Sequence, residues 1–186
     1  MFKNIDAAIF DMDGTIVDSM WVWNKIDTEY LAKHNLDVPP SLNNDIAHLS
    51  FNEVAIYFKN SFNLPYTLEE IKEHWNDMAY EAYCNKVKLK PGVKEFFNLL
   101  KENNIKIALA TSNNTLLLEA CLKANGIYEY FDTITLTNEV KRGKDFPDVY
   151  LLGACGCFIL PPHRFLLCEA VGCFSFKEGV YRNSFC

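Results

Sequence analysis

The chain has 186 residues, 49% of them apolar, and a formal net charge of −6 at pH 7. That length suits one domain plus a small insert, with enough apolar residues for a sizeable core. The acidic balance argues against nucleic acid as a partner. No basic segment followed by a long apolar run opens the chain, and no run matches a bilayer's thickness, so a cytoplasmic location without membrane contact is expected.

Ile5 to Phe10 predicts a short buried strand, followed at once by Asp11-Met12-Asp13-Gly14-Thr15. In extended chain, residues i and i+2 point the same way. Asp11 and Asp13 can therefore reach one small volume, with Gly14 allowing a sharp turn behind them. Two carboxylates that close repel, and one tends to protonate unless a cation sits between them. A hard divalent ion with oxygen ligands, Mg2+ above all, is the natural cation. An aspartate in such a place can attack phosphorus and form an aspartyl-phosphate. A calcium loop starting at Asp11 would need a glutamate at position twelve, where Val22 stands.

From Asp18 the pattern turns helical, with Trp23, Ile26 and Tyr30 on one face. Pro39-Pro40 breaks it. Ser50-Phe51-Asn52-Glu53 has the form of a capping box, followed by Phe51, Val54 and Phe58 on one face. Thr67-Leu68-Glu69-Glu70 is a second, opening a helix with Leu68, Ile71, Trp75, Met78 and Ala82 inward. Residues 18–84 thus read as a helical unit without strands. Its aromatic stripe reads as core packing.

Pro91-Gly92 precedes a helix carrying Val93, Phe96, Phe97 and Leu100. Ile105 to Ala110 reads as a second strand. Leu117, Ala120, Cys121 and Ala124 trace the next helix, with Gly126 as its terminator. Phe131 to Leu136 is a third strand. Alternating strands and helices predict an α/β fold with a doubly wound parallel sheet. Ligands in such sheets bind at the carboxyl ends of the strands, which brings Asp11 and Thr111 to one edge. The Thr111 hydroxyl and the amides of Ser112 and Asn113 suit either a phosphate at a helix N-terminus or an ordinary N-cap. Lys144 precedes a helix start at Pro147-Asp148. Cys84 and Cys121 read as core residues. Cys155, Cys157, Cys168, Cys173 and Cys186 lack the spacing of a metal site.

Asp-x-Asp-Gly-Thr after a strand resembles the first motif of the haloacid dehalogenase-like superfamily. The resemblance implies a Rossmann-like core at 1–17 and 85–186, with residues 18–84 as a small helical cap. The cap would hinge near 15–18 and 85–90 and exclude water on closing. Asp11 would be the nucleophile and Asp13 the general acid/base. A dehalogenase proper lacks the second aspartate, so Asp13 points to the phosphatase branch. Thr111 stands where the second motif places its Thr or Ser. Arg142-Gly143-Lys144-Asp145-Phe146-Pro147-Asp148 is similar to the Gly-Lys-Pro-x-Pro-Asp segment, which makes Lys144 the neutralising cation and Lys141 the weaker candidate.

The fourth motif departs from the pattern. Leu166 to Ala170 stands where an acidic pair is expected, with Glu169 as the first acid and Ala170 in place of the second. Mg2+ would then be held by Asp11, the Asp13 backbone carbonyl and Glu169. Val171 to Cys186 show neither the helix nor the later strand that relatives place there, and residues 153–186, rich in cysteine and phenylalanine, have neither clear period. Weak Mg2+ binding, low activity and self-association through an uncovered sheet edge are therefore expected. The implied function is a Mg2+-dependent phosphatase of a small phosphorylated metabolite. The alternatives are a phosphosugar mutase of the same subgroup, and a catalytically impaired protein that binds phosphate compounds or a partner chain. A receiver domain also uses acids, Mg2+ and a lysine, but it has no helical insert after its first strand.

Overall fold

The computed structural model describes residues 5–46, 49, 51–142, 144, 146–157, 164–169 and 172–177, with backbone alone at 164–165, 169 and 172–177. Ser50 of the first capping box, Asp145, Ala170 and Cys186 lie outside the described residues, as does the side chain of Cys173. The chain divides into two compact units, Met20–Lys86 and the remainder, Met1–Ser19 with Val87–Cys186.

The second of these holds the sheet. β1 (Ala7–Phe10) is followed by a two-residue strand, β2 (Val17–Asp18). The helical unit then carries α1 (Trp21–Lys33), α2 (Leu42–Ile46), α3 (Phe51–Ser61) and α4 (Leu68–Asn85). The chain returns through β3 (Lys88–Leu89), α5 (Val93–Glu102), β4 (Lys106–Thr111) and α6 (Thr115–Ala124). It ends in β5 (Thr133–Leu136), α7 (Asp148–Gly156), β6 (Arg164–Glu169) and β7 (Gly172–Lys177). No helix among the described residues is long and apolar enough to cross a membrane.

The main sheet has the order β5-β4-β1-β6-β7. β1 pairs in parallel with β4 on one side and β6 on the other. The chain thus winds outward from β1 to β5, then crosses back to β6, and β1 is the point where the winding reverses. Such reversals leave a crevice at the carboxyl ends of the strands.

All four residues of β1 are buried, as a central parallel strand requires. Successive side chains go to opposite faces. Ile9 joins Ala108, Ala110, Leu167 and the α7 residues Val149 and Ala154 in one core. Phe10 meets the α5 ring of Phe97, edge to face at 5.0 Å. Helices therefore cover both faces, as the alternation of strand and helix predicts. Gly126 ends α6 at φ +64°, the left-handed conformation expected of a terminator.

Two expectations are corrected. β5 starts at Thr133 rather than Phe131, because Tyr128–Tyr130 forms a 3-10 turn and the Asp132 carboxylate closes the sheet end by accepting from the Ile107 N–H at 2.9 Å. The C-terminal segment does contain a further strand. β7 runs antiparallel to β6, with Cys168 paired to Cys173, so the sheet is mixed and the free edge of β6 is covered. β6 carries no alternation of apolar and polar residues, and in β7 only Phe174 to Lys177 alternates, which is why the sequence pattern missed it.

In the helical unit, Tyr30, Phe58 and Trp75 pack edge to face. The second capping box forms as predicted: the Glu70 N–H donates to Thr67 Oγ1 and the Thr67 N–H to Glu70 Oε2. Trp23 and Phe51 are corrected. They stand at the rim, 36% and 41% exposed, while Val22 and Ala55 take the inward places.

Candidate active site

The loop after β1 turns back on itself. The N–H groups of Thr15, Ile16 and Val17 all point at the Met12 carbonyl, and Gly14, at φ +72°, donates to the Val17 carbonyl. Met12 is fully buried while Asp11 and Asp13 on either side are partly exposed. The extended-chain parity therefore carries through the first turn, and both carboxylates leave the buried face.

Their surroundings differ. Lys144 forms an ion pair with Asp11 Oδ1, which also accepts from the Met12 N–H at 2.7 Å. Burial raises the Asp11 carboxyl above its ordinary range, helped slightly by the charge of Asp13. Lys144 and the Met12 amide act the other way. Asp11 is anchored from the far side by its own N–H, which donates to the Cys168 carbonyl of β6 at 2.9 Å.

Asp13 is held by different groups. The Ser19 hydroxyl donates to Oδ1 at 2.6 Å, and the Asn113 side-chain amide donates to Oδ2 at 3.0 Å. Ser19 is 2% exposed. The sequence reading did not single out Ser19, and it named Asn113 only for its backbone amide. The available signal for Ser19 was a small hydroxyl residue five positions beyond Gly14, with no cap to make: Met20 is the residue before α1 and makes no side-chain cap.

Thr111 ends β4 with its side chain buried, and its Oγ1 accepts from the Asn113 N–H at 3.1 Å. The Thr111 hydroxyl keeps its own hydrogen for a further acceptor. Ser112 is exposed. The N-cap of α6 is Asn114, whose Oδ1 accepts from the Leu117 N–H at 2.9 Å. The capping role thus falls to Asn114, leaving Thr111 and Asn113 free of it.

Lys144 is partly buried, whereas Lys141 is exposed. Arg142 pairs with Asp148 at 2.7 Å and pins the lysine-bearing loop to the start of α7. Glu169 closes β6 one residue past Cys168, so its backbone lies at the same sheet edge as Asp11. Its side chain and Ala170 lie outside the described residues. Among the described residues, no group of three or more His, Cys, Asp or Glu could hold a metal ion. Cys157 and Cys168 are buried thiols, and burial pushes Cys157 up to about 11.

This arrangement offers a lysine-neutralised carboxylate, a second carboxylate fixed by neutral donors, and a buried threonine hydroxyl, all at strand ends β1 and β4. The haloacid dehalogenase-like hydrolase family model matches residues 8–154. The phosphorylated carbohydrates phosphatase of Thermotoga maritima is 26% identical over 148 residues, covering 80% of this chain and 68% of that protein. Hexitol phosphatase B of Escherichia coli is 28% identical over 154 residues, with the same two coverages. A solved Thermotoga maritima structure assigned as a beta-phosphoglucomutase has a TM-score of 0.78 and 24% identity, covering 88% of this chain and 75% of its own. CbbY from Rhodobacter sphaeroides in complex with phosphate has a TM-score of 0.68 and 21% identity, covering 88% and 76%. These solved structures share the fold. With the family model spanning most of its length, the chain belongs to the haloacid dehalogenase-like hydrolase family.

Proposed function

We propose that the chain is a phosphatase that cleaves a small phosphorylated metabolite, of the phosphorylated-carbohydrate class, through an aspartyl-phosphate on Asp11. The observation that carries this reading is the unequal treatment of the two aspartates. Asp11 is paired with Lys144, while Asp13 is held by Ser19 and Asn113. Two carboxylates placed together in different environments suit two roles, nucleophile and acid/base. The names of the matched relatives support the substrate class.

In the first half-reaction, an Asp11 carboxylate oxygen bonds to phosphorus. The bond from phosphorus to the alcohol oxygen breaks, and Asp13 gives that oxygen its proton. In the second, water attacks phosphorus and gives its proton to Asp13, and the bond from Asp11 to phosphorus breaks. Lys144 offsets negative charge on Asp11 and on the phosphoryl oxygens. The Thr111 hydroxyl and the Ser112 amide suit the same oxygens.

The donor set fits Mg2+, the cation that phosphatases of this family generally use. The Asp11 carboxylate and the Asp13 backbone carbonyl are hard oxygens, and Glu169 is the nearest acid on β6. When bound, the ion supplies charge neutralisation to the phosphoryl group. The helical unit is read as the inserted cap of the family.

The test is an assay across a panel of phosphorylated metabolites, sugars and polyols included, with and without Mg2+, on the native chain and Asp11→Asn. Mg2+-dependent release of phosphate by the native chain alone is expected. Equal release by Asp11→Asn would overturn the reading. Phosphoryl return to a sugar through a bisphosphate would identify a mutase instead.

A further inference from the structure

We infer that Asn113 is a positioning residue for Asp13: it fixes which carboxylate oxygen carries the transferred proton. The inference rests on the phosphatase reading above and deepens it. Asn113 sits in the β4–α6 loop, where Asn114 has taken the helix cap. Its side chain is tied at the oxygen end, since Oδ1 accepts from the Asn114 N–H at 2.8 Å. A backbone N–H can only donate, so this end of the amide must be oxygen. The other end is then the NH2 group, and it stands 3.0 Å from Asp13 Oδ2. Its orientation is thus set by two independent partners.

An amide NH2 donates and does not accept. Asp13 Oδ2 must therefore remain an acceptor whether Asp13 is ionised or not. A proton taken up by Asp13 goes to Oδ1. There the partner is the Ser19 hydroxyl, 2.6 Å away, and a hydroxyl can turn from donor to acceptor. When Asp13 acts as acid, the proton on Oδ1 passes to the leaving oxygen as the bond to phosphorus breaks. When it acts as base, a water proton returns to Oδ1. Asn113 touches neither substrate atom in these steps. It keeps Oδ2 as an acceptor and the carboxyl plane fixed.

The test compares two aryl phosphates of similar shape. p-Nitrophenyl phosphate has a leaving group that departs without a proton, whereas phenyl phosphate needs the acid. Removing the donor in Asn113→Ala is expected to lower kcat/KM on phenyl phosphate by about tenfold or more, within the range attributed to general acid catalysis. On p-nitrophenyl phosphate kcat/KM should change little, since it reports only the steps up to formation of the aspartyl-phosphate, before Asp13 is needed as base. Asn113→Gln, which keeps an NH2 donor on a longer arm, should recover part of the loss. Asn113→Asp, which replaces donor by acceptor, should be worse than Asn113→Ala.

An equal loss of kcat/KM on both substrates would make Asn113 a phosphate-binding or structural residue and overturn the inference alone. A native chain that hydrolyses neither ester would overturn the phosphatase reading and this inference with it.

Discussion

The Lys144 ammonium is ion-paired with Oδ1 of Asp11, and both side chains are about four-fifths shielded from solvent. Burial raises the Asp11 carboxyl, and Lys144 is the strongest influence opposing that rise. Removing the lysine leaves a largely shielded carboxylate beside Asp13 without its cation. Lys144→Ala should lower kcat/KM by about 100-fold or more, comparable to loss of one preorganised charge-stabilising donor. Lys144→Arg should recover only part of this, since a planar fork replaces a point charge. Steady-state kinetics check both. Asp11→Asn should keep the melting temperature and abolish turnover, with phosphate bound no more weakly than before.

Asp132 is a structural counterpart at the opposite end of the sheet. Its carboxylate accepts from Lys101 at 2.7 Å, from Lys106 at 2.9 Å and from the Ile107 N–H at 2.9 Å. Burial alone would raise this carboxyl, but the lysines and the amide outweigh it and hold it below its ordinary range. A depressed folded value contributes stability above the unfolded value, near 3.8, that is lost as pH falls through the lower folded one. Asp132→Ala also leaves the Ile107 N–H without its acceptor. It should cost about 1–3 kcal/mol at neutral pH. Urea melts should show the gap between the variant and the native chain closing in acid.

Local signals explain which parts of this were legible in the sequence. The Asp11/Asp13 parity needs only an extended strand, and the burial of Met12 shows it. The Thr67/Glu70 box and Gly126 are short-range devices, so they could be read from neighbours in the chain. Preference for Lys144 over Lys141 came from motif similarity alone, and the ion pair to Asp11 gives it a geometric basis. Ser19 and the Asn113 side chain were not legible. Ser19 reaches Asp13 only through the fold of the connection after β1, and Asn113 reaches it from the distant β4–α6 loop. Asn113 and Asn114 are equally good caps on paper, and only the backbone geometry assigns the cap to Asn114. β7 was missed because only Phe174 to Lys177 within it alternates apolar with polar residues, too short a run to read as a strand.

Gly156 is where α7 comes closest to the sheet. A Cβ built there would collide with Thr133 Oγ1 and stand 3.0 Å from Thr133 Cβ. One turn earlier, a Cβ on Gly153 would meet Thr135 Oγ1 at 3.4 Å, which is ordinary contact. Gly156 is the last residue of the helix, where alanine's propensity adds little to offset the clash. Gly156→Ala should therefore destabilise by about 1–3 kcal/mol, as overpacking does. Gly153→Ala should be near neutral. Thermal melts of the pair check the contrast, and equal shifts would mean that α7 can move off β5.

Asp27 poses the clearest pH-dependent prediction. It lies on α1, one turn after Trp23 and one turn before Tyr30, and is 7% exposed. Trp23 touches Phe51, Phe51 touches Trp75, and Trp75 touches Tyr30, with ring centroids 5.6–5.7 Å apart at each step. Asp27 thus shares its helix face with two members of this ring cluster. No opposing charge offsets the burial, which pushes the Asp27 carboxyl up to about 6 from 3.8. A folded value above the unfolded one gives stability that is complete below the unfolded value and lost as pH rises through the folded one. The window is therefore between about 4 and 6, and the loss above it amounts to roughly 3 kcal/mol, taking 1.36 kcal/mol for each of about two units. Asp27→Leu removes the titrating group and keeps the volume. Relative to the native chain, it should gain stability steadily from about pH 4 to about pH 7 and hold that gain above. Denaturant melts of both proteins across this range read the difference directly. A gap that stays constant with pH would show that Asp27 is already ionised in the fold.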